Sequence, residues 1–434
     1  MERSNLIATL DRFKRVMNET TMDRIGKRTG FCKRLRTVTP YRLVLSMVSL
    51  FSCTRVETLA DIHRGFTALF GKEVSYKPFH NQLAKAEFPK MMRDVACDML
   101  RKLMVKTLRI KRGSPFSEFK EIVIQDGSSF AVKDNLSKIF PGRFTTISPA
   151  AVELHVTMNL LEGNAERVTL TADTEGERAH LPDASEMRGK LLLADRGYFS
   201  LEYIGELSQE DAGFIIRAKS SINPHILNAF TPNMKRLKKF QGKHLKGAGS
   251  LPKLQPVDMD IEWNTPDGCS IECRLISSWN PKTKEYNFFT TNLPRERYSV
   301  ADILRAYRLR WQIELLFKEW KSYANLHAFD TSKAPIAEGL IWASLAAATV
   351  KRYLAHVVQS LTGVEISTRK VAMCAVHVLL EIFIALVRRS PYRLRLAWTR
   401  AIDYLAAYAK RAHPKRDRKI GRLASGLQPI FANP

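Results

Sequence analysis

Within Tyr307–Lys321 (YRLRWQIELLFKEWK) an acid, two bases and a phenol recur at helical spacing. The stretch lacks Pro and Gly and is rich in helix formers, so the spacing predicts one continuous helix. At about 100° per residue, with Tyr307 at zero, Arg310 falls near 300°, Glu314 near 340° and Lys321 near 320°. The four side chains share one narrow stripe. Ile313, Leu316, Phe317 and Trp320 cover the sector between about 180° and 280° and supply a packing face. Alone, such a stripe also describes a solvated surface with an Arg310–Glu314 pair. Two apolar runs upstream add weight, because each ends in an aspartate: EIVIQD at Glu121–Asp126 and KLLLADRGYFS at Lys190–Ser200. A strand that delivers a carboxylate just before a Gly-containing turn places it at the open edge of a sheet, where ligands of α/β proteins gather. Two such aspartates and a helix-borne glutamate can converge on a divalent cation.

The order Asp126 (DGSSF), Asp195 (ADRGYFS), then Tyr307-x2-Arg310-x3-Glu314-x6-Lys321 resembles the DDE transposases of bacterial insertion sequences, in particular the subgroup with a Y-R-E-K helix. The similarity runs from about Glu121 to Ala324. It implies a ribonuclease-H-like catalytic domain, cleavage of element ends, and joining of the 3′ hydroxyls to target DNA. Two Mg²⁺ or Mn²⁺ ions about 3.5–4 Å apart suit that chemistry, one activating water and one receiving the leaving oxygen. Asp126 is the natural bridging ligand, with Asp195 on one ion and Glu314 on the other. Arg310 and Lys321 are placed to clamp phosphates, and Tyr307 to donate to one. A homodimer in a synaptic complex is a further implication. Two alternatives stay open on the residues alone: a metal-dependent nuclease on the same scaffold, and a non-catalytic DNA-binding protein derived from a transposase.

Charge fits a polyanionic partner. The chain of 434 residues carries a formal net charge of +26. Residues 1–115 contribute +14 and residues 351–434 contribute +12, while the segment between them is neutral. All the excess lies at the ends and the candidate carboxylates lie in the middle, an electrostatic footprint for double-stranded DNA. Apolar content is ordinary, which excludes disorder as the main state. The six cysteines are scattered without zinc spacing, so reduced thiols in the cytoplasm are expected. The N-terminal stretch carries acids and no apolar core, which argues against a signal peptide. Val371–Val387 is apolar but holds His377 and Glu381, so a buried helix is expected rather than a membrane span.

Three regions follow, with 1–115 expected to be helical. Thr54–Leu69, a Gly-containing break and a helix opening at Pro78 outline a helix-turn-helix. Its second helix presents Lys77, His80, Asn81, Gln82 and Lys85, chemistry suited to bases and phosphates; a plain helical bundle explains the pattern equally. From 116 to 333, strands at Glu121–Asp126, Glu153–Asn159, Arg167–Ala172, Leu191–Asp195 and Gly213–Arg217, with helices at Ala179–Arg188 and Leu201–Gln209, read as α/β. A mostly β insertion at about 220–297 opens with a basic cluster, Lys235, Arg236, Lys238, Lys239, Lys243 and Lys246. It is either a buttress or a wall of the DNA channel. In relatives that pass through a DNA hairpin an insertion aromatic holds a flipped base, and Tyr286 is the candidate here, with Trp263 and Trp279 as competitors. Ser299 and Asp302 form a capping box ahead of the signature helix. From 334 to 434 helices are expected at Pro335–Leu361, Thr368–Arg389 and Arg393–Arg411, followed by the cationic run RAHPKRDRKIGR.

Overall fold

The computed structural model describes residues 3–53, 56–103, 113–264, 270–323 and 331–412. The basic boundary around 104–112, the start of the Thr54 helix and the cationic run beyond 412 lie outside the described residues. Among the described residues six helices come first: α1 (Arg3–Val16), α2 (Glu19–Arg28), α3 (Pro40–Cys53), α4 (Leu59–Phe70), α5 (Tyr76–Leu83) and α6 (Glu87–Leu103). Thr58 caps α4 in a capping box with Asp61, and Gly71 ends it in the left-handed conformation that lets the chain turn. α5 starts two residues before Pro78, placing that proline inside its first turn.

Ten strands among the described residues form one mixed sheet: β1 (Ile122–Ala131), β2 (Ala151–Asn159), β3 (Asn164–Ala172), β4 (Leu191–Ala194), β5 (Gly213–Ala218), β6 (His225–Phe230), β7 (Lys243–His244), β8 (Val257–Asn264), β9 (Ser270–Asn280) and β10 (Glu285–Thr291). Their order across the sheet is β3-β2-β1-β4-β5-β10-β9-β8-β6-β7. β1 to β3 are antiparallel, and β4 and β5 then run parallel to β1. The only long helix among the described residues between β4 and β5 is α7 (Leu201–Gln209); the helix expected at Ala179–Arg188 is instead two short 3₁₀ turns separated by Pro182, whose missing N–H interrupts a ladder. The insertion is not a separate sheet. β10 pairs antiparallel with β5, so β8, β9 and β10 extend the same surface.

After the sheet come α8 (Val300–Arg308), α9 (Trp311–Tyr323), α10 (Ala334–Thr362), α11 (Thr368–Cys374), α12 (Leu379–Val387) and α13 (Pro391–Tyr408). The N- and C-terminal helices are apart in sequence but share one core in space, with α10 packed against α6 and α3. That core continues onto one face of β1 and β2 through Ile122, Ile124, Val152, Leu154 and Val156. Val123, Leu192, Phe214, Ile261 and Leu275 fill a second core on the opposite face. The apolar run at Val371–Val387 is broken at the α11–α12 junction, and no single described helix is long and apolar enough to cross a membrane. Cys32, Cys53, Cys97, Cys273 and Cys374 are free thiols.

Candidate active site

Asp126 sits in the middle of β1 rather than at its end, because the strand continues through Gly127 to Ala131 along β2. Its other neighbour, β4, stops earlier: the last parallel pair is Gln125 with Ala194. Asp126, still paired to β2, and Asp195, the first residue past β4, therefore stand side by side at one level of adjacent parallel strands.

The signature segment is not one helix. Backbone N–H groups of Leu309, Arg310, Gln312 and Ile313 bond three residues back, so the helix tightens and breaks between α8 and α9. Neither Pro nor Gly marks that break. Tyr307 lies on α8, Arg310 in the junction, and Glu314 and Lys321 on α9. The capping box of Ser299 and Asp302 opens α8 as expected. Ile313, Leu316, Phe317 and Trp320 are buried and anchor α9.

The stripe closes on the two aspartates. Tyr307 donates its hydroxyl hydrogen bond to Asp195 at 2.9 Å. Arg310 reaches Asp126 with one guanidinium nitrogen at 2.5 Å and Glu314 with another. One guanidinium thus joins the first and third carboxylates, and a phenol holds the second. Burial pushes the Asp126 carboxyl up to about 7; Arg310 opposes the rise, and Asp195 and Glu314 add to it. Tyr307 is raised as well, by burial first and then by Asp195. Lys321 lies 5.2 Å from the centre of the Phe130 ring, and burial lowers its pKa against the pull of Glu153.

Hard oxygen donors in this number suit a divalent cation. As placed, no three His, Cys, Asp or Glu among the described residues stand close enough to hold one ion; Arg310 pairs with both Asp126 and Glu314.

Several groups near the site had no signal in the sequence. Arg217 on β5 stands 3.7 Å from Asp195 and bonds Asn287 on β10. Arg274 pairs twice with Asp258 at 2.7 Å and donates to the Tyr298 carbonyl at 2.8 Å, fixing the chain immediately ahead of α8. Burial works to raise Asp258, but hydrogen bonds from Arg274 and Arg295 hold it below the usual carboxylate range. Arg352 on α10 pairs with Glu319 on α9 at 2.5 Å and ties the Glu314 helix to the helical core.

The other sequence-predicted residues lie elsewhere. Lys77 and Asn81 are exposed on α5; His80, Gln82 and Lys85 are half-buried. Lys85 is turned inward, donating to the Phe31 carbonyl at 3.0 Å. Lys85 and Gln82 also line a groove of about 810 Å³ with Lys33, Arg34 and Arg36. Lys235, Arg236, Lys238, Lys239, Lys243 and Lys246 are exposed around β6 and β7, at the far edge of the sheet. Tyr286 is half-buried against Trp279, and its hydroxyl bonds the Leu251 carbonyl at 2.5 Å, so it is engaged in packing rather than presented to a base. Trp263 is buried, and Lys253 covers Trp279.

Comparison with known proteins defines the class. Residues 117–350 match the transposase DDE domain, and the chain belongs to the DDE transposases of bacterial insertion sequences. It is a DNA transposase, an enzyme of DNA cleavage and transfer in a family that uses divalent metal. The transposase of IS1151 from Clostridium perfringens is 21% identical over 70% of this chain and 72% of its own length. The IS231B transposase of Bacillus thuringiensis subsp. berliner is 22% identical over 77% and 76%. A putative transposase of Escherichia coli, InsL of IS186A, is 45% identical over 17% of this chain and 20% of its own. Among solved structures, a piggyBac transposase synaptic complex with hairpin DNA gives a TM-score of 0.47 at 11% identity, over 92% of this chain and 85% of that one.

Proposed function

We propose that this transposase binds the terminal inverted repeats of its element, cleaves the ends and joins the freed 3′ hydroxyls to target DNA at Asp126, Asp195 and Glu314. The observation that carries the reading is the convergence of the three acids on Arg310 and Tyr307. The acids would hold two Mg²⁺ or Mn²⁺ ions, which when bound supply a water nucleophile at neutral pH and stabilise the leaving oxygen. Arg310 bonds one oxygen of Asp126 and one of Glu314, which leaves further lone pairs of both acids for a cation, and its remaining N–H groups would grip a phosphate. Tyr307 orients Asp195, as outer groups do for metal-binding carboxylates. Lys321, exposed beside Phe130, is suited to a phosphate next to the cleavage point. The sheet is read as ribonuclease-H-like, the exposed cations around β6 and β7 as a wall of the DNA channel, and α4–α5 with Lys77 and Asn81 as a reader of the end sequence. Assembly is as a homodimer spanning both ends.

Asp126→Ala, Asp195→Ala and Glu314→Ala should each abolish Mg²⁺-dependent nicking of a duplex bearing the inverted repeat that flanks the gene, while gel-shift binding to it survives. Nicking retained by any one of the three would remove that residue from the reaction.

A further inference from the structure

Backbone pairing between β1 and β4 ends at Gln125 and Ala194, one residue short of both aspartates. Past that pair, the separation of Asp126 and Asp195 depends on side chains. Asp195 leads at once into a 3₁₀ turn, Arg196–Tyr198, in which the Tyr198 N–H bonds the Asp195 carbonyl at 3.0 Å. Tyr198 is therefore tied to the backbone of the second acid. Its buried side chain reaches Gly127, the residue after the first acid, where an added Cβ would stand 3.1 Å from the Tyr198 hydroxyl. Gly127 in turn donates its N–H to the Asp126 carboxylate at 3.0 Å. One side chain thus connects the two acids through the residues beside them, from the face of the sheet opposite Asp126.

The same spot is closed from β2. Glu153 and His155 alternate with the core residues Val152, Leu154 and Val156, so both point to the Gly127 side. A Cβ on Gly127 would stand 2.6 Å from the Glu153 carboxylate and 3.3 Å from His155 Nδ1. Only glycine fits between these groups, which gives a physical reason for the glycine after Asp126. Arg143 braces Glu153 at 3.3 Å, and Thr157 donates to Gln125 at 2.7 Å, so the residue before Asp126 is held as well. Burial raises the Tyr198 hydroxyl and Asp126 adds to the rise, which keeps it protonated. The cluster opposes stability. Gln125, Glu153, His155 and Tyr198 are buried on a sheet face otherwise lined by Val123, Leu192 and Phe214, and His155 Nδ1 has no hydrogen-bond partner among the described residues. Aliphatic side chains would fill that space at lower cost, so what the polar set holds in place explains it.

We propose that Tyr198 is a positioning residue for the metal centre: lodged against Gly127, it fixes the separation of Asp126 and Asp195 that a shared cation requires. This rests on the functional reading above and adds the residue that spaces the first two ligands. The test uses the full chain in complex with a precleaved inverted-repeat duplex, titrated with Mn²⁺ and followed by the electron paramagnetic resonance of the unbound ion. The binding that Asp126→Ala abolishes defines the centre. Tyr198→Phe keeps the buried ring and removes the atom that meets Gly127. It should hold Mn²⁺ at the centre on the order of tenfold more weakly than wild type, and need correspondingly more Mn²⁺ to nick an uncleaved duplex. Gel-shift binding of the duplex in EDTA should not change. Gly127→Ala, which drives a methyl group against Glu153 and Tyr198, should weaken Mn²⁺ in the same way. Tyr203→Phe is the control, because its buried hydroxyl bonds the Pro182 carbonyl at 2.7 Å rather than meeting β1, and it should match wild type. Wild-type Mn²⁺ affinity in Tyr198→Phe or in Gly127→Ala, or an equal loss in Tyr203→Phe, overturns the inference alone. Wild type binding no more Mn²⁺ than Asp126→Ala overturns the functional reading and this inference with it.

Discussion

Arg310 answers two carboxylates at once, and this arrangement governs the electrostatics of the site. Spacing alone suggested that Arg310 pairs with Glu314 one turn away; it could not show the 2.5 Å contact to Asp126, 184 residues distant. Glu153 is the second acid to note. It is buried beside Gly127, where an added Cβ would stand 2.6 Å from its carboxylate, and burial pushes its carboxyl up to about 7, with Glu177 adding and Arg143 opposing. A carboxyl raised on folding favours the fold while neutral, and that contribution is lost as pH rises from its ordinary range through about 7. Glu153→Gln should therefore melt above wild type at pH 8, and the gap should narrow as pH falls to 5, read by thermal denaturation in both buffers. The three catalytic candidates were legible in the sequence because each closes a distinctive local motif. Glu153 and Arg217 were not, since each sits in an unremarkable strand and acquires meaning only from neighbours across the sheet.

At the scale of elements, the signature segment shows how a correct set of residues can sit on an imperfectly read backbone. Tyr307, Arg310 and Glu314 still meet at one site although the helix breaks between α8 and α9, because three-residue hydrogen bonds tighten the turn without reversing direction, while Lys321 lies over Phe130. What holds the two pieces is remote. Arg274 and Asp258, from β9 and β8, secure the approach to α8. Glu319 and Arg352 secure α9 to α10, with side chains 15% and 4% exposed. Removing one partner of such a pair leaves an uncompensated buried charge, so Arg352→Leu should cost about 3–5 kcal/mol in urea unfolding. The double variant Glu319→Leu/Arg352→Leu should recover most of that loss, and a double variant no more stable than the single would contradict this account of the pair.

For the whole molecule, the sheet's continuity matters most. With β10 paired to β5, the insertion extends the sheet that carries Asp126, and the exposed cations around β6 and β7 lie five to six strands from β4, roughly 24–29 Å at strand spacing. A duplex laid along that surface can meet both the carboxylates and the basic edge. Replacing Lys235, Arg236, Lys238 and Lys239 together by Ser should flatten the dependence of log K on log salt by up to about 0.9 for each phosphate that is no longer neutralised, with nicking at saturating DNA preserved. An unchanged salt slope would place the DNA elsewhere. The charge distribution that suggested this partner was readable from composition. The course of the sheet was not, because edge pairing depends on which strand ends meet after folding.

What the chain's sequence determined by itself was chemistry: three acids, a stripe of cations and a phenol, a charge excess confined to the two ends, and the α/β character of the middle. These follow from residue identity and short-range periodicity, which a linear reading captures. Tertiary structure alone decided which groups touch. It joined the N- and C-terminal helices in one core, fused the insertion to the sheet that carries Asp126, and turned Lys85 and Tyr286 inward. Those outcomes depend on long-range burial and pairing between segments far apart in the chain, for which local sequence carries no marker.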